Sequence, residues 1–171
     1  MGKPDSKETE PLFWAYGHAV YAAQLLERGM RLLLEIIRKE REKSGVENTG
    51  LQLEDIDSIK MLGILFKSVK EVEHITNSEE KIIYKAIKCR NILVHSYWSE
   101  RQISATLTPE GRKWLIDDLM RRKEDCRKAE DIISSLIDRY LSIHGTTIEA
   151  LAIPLYEKWQ NDELPPDDVI H

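Results

Sequence analysis

Apolar residues in this chain recur at helical spacing, and helix start and stop signals divide them into long segments. Phe13, Val20, Leu25, Leu32, Leu33, Ile36 and Ile37 keep returning to one side of a helix. The spacing predicts a first helix from Pro11, a residue suited to a first turn, to about Arg41, with Gly45 as its stop. A polar connection, Ser44 to Leu53, leads to a second helix from Ile56 to His74, with Leu62, Phe66 and Val69 inward. Thr76 and Glu79 have the spacing of a reciprocal capping box and open a third helix over 78–98. Thr108-Pro109-Glu110 combines a hydroxyl cap, a first-turn proline and an acid favoured by the helix dipole. The fourth helix it opens should run to about His144, where Gly145 stops it. A short last helix, opened by Thr146 and Glu149, is interrupted by Pro154. Sustained β-branched alternation is missing. The expected fold is all-α, an up-and-down bundle of four to five helices.

With 171 residues, 42% of them hydrophobic, one core of ordinary size is expected. Residues 1–10 read as a flexible N-terminus, 11–160 as a single helical domain and 161–171 as an acidic mobile tail. No window approaches 18 uninterrupted apolar residues and the first residues lack an apolar signal core, so a soluble cytoplasmic protein with no membrane association is expected. Cys89 and Cys126 lack metal-ligand spacing and read as free, core or partly buried thiols. No metalloprotease, phosphate-loop, nucleophile-elbow or dinucleotide fingerprint is present, so neither metal nor cofactor is expected.

The net charge of −5 speaks mildly against nucleic acid. Its location weakens that objection, because Asp162, Glu163, Asp167 and Asp168 in the tail carry most of it. Lys85, Lys88, Arg90 and Arg101 lie close together in sequence, and Arg121-Arg122-Lys123 reads as a second, solvated basic face.

The segment richest in chemistry is Arg90-Asn91-Ile92-Leu93-Val94-His95-Ser96-Tyr97. Arginine can clamp a phosphate, and histidine changes charge near neutral pH. Among Ile92, Leu93 and Val94 such groups must be paired or belong to a site, because a buried unpaired charge is costly. The plain reading is a helix edge at which Arg90 and His95 are satisfied by carboxylates of a neighbouring helix. On the third helix Ile82, Ala86, Cys89 and Leu93 share one stripe, and Ile83, Ile87 and Val94 a second, with Arg90 and Tyr97 nearly eclipsed along it. Two apolar stripes suggest a second contact surface, which a two-fold partner or a central position in the bundle would supply. Arg90 and His95 are roughly 140° apart around the axis, so their side chains should diverge within one chain and meet only across a dimer. Ser99 to Leu107 is too short and mixed to assign, and an extended wall beside the motif is one option. His18 reads as a packed or surface histidine, His74 and His144 as helix-end cations, and Trp14, Trp114 and Trp159 as core or interface anchors. Trp98 either packs in the core or stacks a base.

The string fits the R-x4-H-x-Y form of the HEPN superfamily signature, and over about twenty residues the chain resembles the toxin branch of that family. The resemblance implies an α-helical, homodimeric, metal-independent endoribonuclease. It would cut RNA through the 2′-hydroxyl at an interface cleft, in a toxin–antitoxin or defence setting. Carried over by position, Arg90 and His95 would be catalytic, while Asn91 and Tyr97 would support the site or bind substrate. Tyr97 would also be the residue modified by a nucleotidyltransferase antitoxin. The first helix, the Ser99 to Leu107 connection and the segment beyond Gly145 are longer than a minimal toxin of this kind needs. A non-catalytic helical module that binds RNA, nucleotides or a protein partner is the alternative.

Overall fold

The computed structural model describes residues 6–43, 62–64, 66–67, 69–70, 75–143, 145 and 147. Among them the chain is an all-α helical bundle with no strand. Its elements are α1 (Ser6–Lys43), helical residues at 62–64, 66–67 and 69–70, α2 (Asn77–His95), α3 (Glu100–Ala105) and α4 (Pro109–Ile143). No described helix is long and apolar enough to cross a membrane. The connection 44–53, the last short helix, the tail, His74, His144 and Trp159 lie outside the described residues.

Two compact units divide the chain after Ser134. In the second, the end of α4 buries Leu136, Ile137 and Leu141. Gly145 then stops the chain at φ +67°, a conformation that favours glycine, with its N–H donating to the Ser142 carbonyl at 3.3 Å.

Capping sets the helix starts. Thr76 and Glu79 form the expected box: the Thr76 hydroxyl accepts from the Glu79 N–H, and the Glu79 carboxylate accepts from the Thr76 N–H at 2.8 Å. At α4 the Thr108 hydroxyl accepts from the Gly111 N–H at 3.0 Å, with Pro109 as the first helical residue. Helix α1 starts before the position its proline suggested. It begins at Ser6, and Pro11 sits inside it. Glu8, in that extra first turn, pairs with the buried Arg112 at 2.8 Å, while Arg112 also donates to the Thr106 carbonyl at 2.9 Å. This tertiary anchor offsets the hydrogen bond that proline cannot make.

The core face of α1 is built largely of alanine as far as Ala23 and of large residues from Leu26 to Ile37. Leu12, Ala15, Ala19 and Ala23 are fully buried and pack in one cluster with Cys89 and Leu93 of α2, Tyr97, and Leu115, Leu119 and Cys126 of α4. Phe13 (59% exposed) and Leu25 (37%), expected inside, lie on the outer side. Their spacing is helical, but the alanines occupy the face that packs closest, where a large side chain would hold the helices apart. Gly29 contributes to the same approach, since a Cβ there would lie 3.3 Å from Ile133 Cγ2.

Residues 99–107, unassigned from sequence, form a short helix and a turn. Ser99 precedes α3 and its carbonyl accepts from the Ile103 N–H at 3.0 Å, while the Thr106 N–H bonds back to the Gln102 and Ile103 carbonyls. The turn into α4 presses backbone on backbone at Gly111, where a Cβ would sit 2.1 Å from the Ala105 carbonyl oxygen. Gly17 has nothing within 4 Å of such a Cβ. Gly17→Ala should therefore raise stability by roughly 0.5–1 kcal/mol in urea unfolding. Gly111→Ala should lower it by about 1–3 kcal/mol. Equal effects of the two would contradict the packing described.

Candidate functional site

Helix α2 turns Ile83, Ala86, Ile87, Cys89, Arg90 and Leu93 inward. The two stripes anticipated from sequence thus merge into one broad face, and the chain itself covers Ile83 and Ile87. From the second stripe only Val94, 44% exposed, remains uncovered, next to the half-exposed Ile92. The need for a partner inferred from that stripe shrinks to this end of the helix.

Arg90 is 6% exposed, so its charge needs a counter-ion. Glu27 of α1 supplies it: Arg90 Nε and Nη2 both donate to Glu27 Oε2, at 3.1 and 2.6 Å. Arg31, one turn on, donates to the other oxygen at 2.7 Å. Burial alone would raise the Glu27 carboxyl, but the hydrogen bonds and charges of Arg31 and Arg90 outweigh it and hold the group below its usual range. The carboxylate on a neighbouring helix, expected on general grounds, is present.

With two donors committed to Glu27, the remaining nitrogen of Arg90 faces along its own helix. Nη1 donates to Asn91 Oδ1 at 3.2 Å and meets His95 Nε2 at 3.1 Å. This corrects the divergence inferred from helix angles. Around the axis the two residues are far apart, but the arginine arm folds along the surface and closes the gap. Arginine can only donate, so the contact requires a lone pair on Nε2 and leaves the proton on Nδ1. His95 itself is exposed.

The helix ends at His95, earlier than expected. The Ser96 N–H bonds to the Ile92 carbonyl at 3.0 Å, and the Tyr16 hydroxyl of α1 donates to the free Leu93 carbonyl at 2.9 Å. Tyr97 therefore leaves the stripe it would share with Arg90. It is 1% exposed, with its hydroxyl on the Leu115 carbonyl at 3.4 Å and its ring against Tyr16 and Trp98. The Arg122 guanidinium lies 5.7 Å from the ring centroid, and Asp118, held by Arg121 and Arg122, is beside it. Burial, then the charge of Asp118, pushes the phenol far above its usual range. The structure brings Arg90, Asn91 and His95 together and does not bring Tyr97 to them. In this conformation the Tyr97 hydroxyl is out of reach of substrate or of a modifying enzyme.

The remaining candidates resolve as follows. Trp98 packs on Tyr16 and Phe13, at ring distances of 5.2 and 6.0 Å. His18 packs against Trp14 with ring centroids 4.1 Å apart and planes tilted by 55°, and Trp14 (59%) and Trp114 (41%) are exposed rather than core. Arg122 joins the buried network of Asp118 instead of a solvated face. Cys89 and Cys126 are buried free thiols, and burial pushes Cys126 up to about 12, which leaves it inert. Among the described residues no three histidine, cysteine or carboxylate side chains converge as metal ligands would.

Sequence reasoning missed a groove. Between α1 and α2 an open cleft of about 480 Å³ is lined by Tyr21, Leu25, Arg28, Arg31, Arg90 and Val94. The signal was available in Tyr21, Leu25 and Arg28, at i, i+4 and i+7 on α1. No family model, curated protein or solved structure matches this chain.

Glu27 and Asp118, whose carboxyls both lie below their usual range, contribute stability that is complete above the unfolded carboxylate pKa and lost as pH falls through the folded one. Stability should therefore fall between roughly pH 5 and pH 2. Glu27→Gln should flatten that fall and cost about 1–3 kcal/mol at pH 7, by leaving Arg90 without its counter-ion. Urea titrations of both proteins across this window check the sign. An unchanged acid limb would mean that the pair contributes nothing.

Proposed function

We propose that this chain is a metal-independent endoribonuclease of HEPN type, with Arg90 and His95 as its catalytic groups and Asn91 in support. The observation that carries the reading is the 3.1 Å contact of Arg90 Nη1 with His95 Nε2 beside an open groove. RNA brings its own nucleophile, so the reaction needs a base and a stabiliser of phosphorane charge, and these two side chains suffice. In the resting pair the guanidinium occupies the lone pair of Nε2. A bound 2′-hydroxyl takes that place and gives its proton to Nε2, and the released Arg90 N–H turns to the phosphate. The 2′-oxygen–phosphorus bond forms, the phosphorus–5′-oxygen bond breaks, and the imidazolium returns the proton to the 5′-oxygen. The products are a 2′,3′-cyclic phosphate and a 5′-hydroxyl.

A homodimer that sets two such pairs side by side is part of the proposal. It is supported by Ile92, left uncovered at the motif end of α2 and outside the groove lining. The second reading, a non-catalytic helical module that binds RNA, nucleotides or a protein, is favoured by one observation. Glu27 already neutralises Arg90, as it would in a purely structural pair.

Purified protein should cut single-stranded RNA in excess EDTA and leave 2′-deoxy substrate intact, and His95→Ala should lose about 10²- to 10⁴-fold in rate. Because the pair closes within one chain, mixed dimers of Arg90→Ala and His95→Ala should show no rescue. Restored activity in confirmed heterodimers would move the chemistry across the interface, and intact folded protein without RNA cleavage would favour the binding module.

A further inference from the structure

The groove that Arg90 lines carries more cationic charge than its ion pair with Glu27 requires. Arg28, Arg31 and Arg90 line it against one carboxylate, Glu27. The local excess is two positive charges in a chain whose net charge is −5. Glu27 spends its two oxygens on Arg90 and Arg31. Arg28 holds no ion pair among the described residues, and its side chain is exposed. A guanidinium with no ion pair among the described residues, beside two paired ones, is a place for an anion.

The second ingredient is aromatic. Tyr21, 60% exposed, lines the same groove. It precedes Arg28 by seven residues, so the ring and the guanidinium lie on one stripe of α1, about 10 Å apart along the axis. Leu25 stands between them on the adjoining turn, and Val94 faces it from α2. An exposed ring, a free arginine one stripe along and an apolar floor are the parts from which single-strand binding surfaces are made, the base stacking and the backbone phosphate pairing.

We infer that Tyr21 and Arg28, with Arg31 behind them, form a subsite on α1 for a nucleotide of single-stranded RNA flanking the scissile bond. The inference rests on the ribonuclease reading for the position of that bond, and charge complementarity selects the occupant. The subsite fixes where the strand lies along the groove. Stacking on the ring suits any base, because every base offers a face to it.

The test uses the full-length protein and a fluorescein-labelled, 2′-O-methylated eight-nucleotide RNA, which cannot be cleaved, in anisotropy titrations at several salt concentrations. Tyr21→Ala should weaken binding at least about fivefold, with Tyr21→Phe close to wild type. Arg28→Ala should weaken it comparably and lower the salt slope by about one ion. Arg127→Ala, on the exposed face of α4, is the control and should leave binding unchanged. All three positions are exposed, so folding is preserved. Groove-dependent binding by a protein that cuts no RNA would keep the subsite and sink the ribonuclease reading. RNA cleavage with binding indifferent to Tyr21 and Arg28 would overturn the subsite and keep the ribonuclease. Absence of RNA binding by the wild type, or groove variants that change only the oligomeric mass, would overturn the subsite as well.

Discussion

A single buried cation governs how α1 and α2 meet. Arg90 lies in an apolar seam with 6% of its surface exposed, and only the Glu27 carboxylate makes that position tolerable. The pair fixes the rotation of α2 against α1, because both Arg90 Nε and Nη2 must reach one oxygen of Glu27. Once that is set, Nη1 is aimed at Asn91 and His95. Breaking the pair would leave a buried charge, which costs far more than an exposed ion pair contributes. The same bond that holds the helices in register poses the candidate chemistry.

The turn after His95 separates two populations of aromatic residue. Tyr16 binds the Leu93 carbonyl and stops α2, after which Tyr97 and Trp98 fold back onto Tyr16. Beneath them the buried Asp118 is held by the exposed Arg121 and the partly buried Arg122, with Arg122 against the Tyr97 ring. These side chains belong to packing. Of the exposed aromatic residues, Tyr21 lines the groove. Net charge hides this division, since a chain of net −5 still gathers three arginines on one cleft.

Capping chemistry was readable residue by residue. Thr76 with Glu79, Thr108 with Pro109, and Gly145 all act where local stereochemistry says they should, because caps depend on neighbours within four positions. Facing was less readable. Phe13 and Leu25 outweigh Ala15 and Ala19 in hydrophobicity, yet close packing assigns the inner face to the alanines. A carboxylate for Arg90 was foreseeable, but its identity was not, as Glu27 lies 63 residues away. The divergence of Arg90 and His95 was inferred from helix angles, which describe Cβ directions and ignore the reach of a long side chain. Tyr97 was placed on the helix by periodicity, and the helix ends two residues before it.

The central claim is that Arg90, posed by Glu27, donates to Nε2 of His95. A long-range ¹⁵N–¹H correlation spectrum of the imidazole at neutral pH reads this directly, because protonated and bare ring nitrogens resonate far apart. The account predicts His95 with its proton on Nδ1 and a bare Nε2, a state that Glu27→Gln should perturb while leaving the His18 ring unchanged. A proton on Nε2 of His95, unchanged by loss of Glu27, would contradict it.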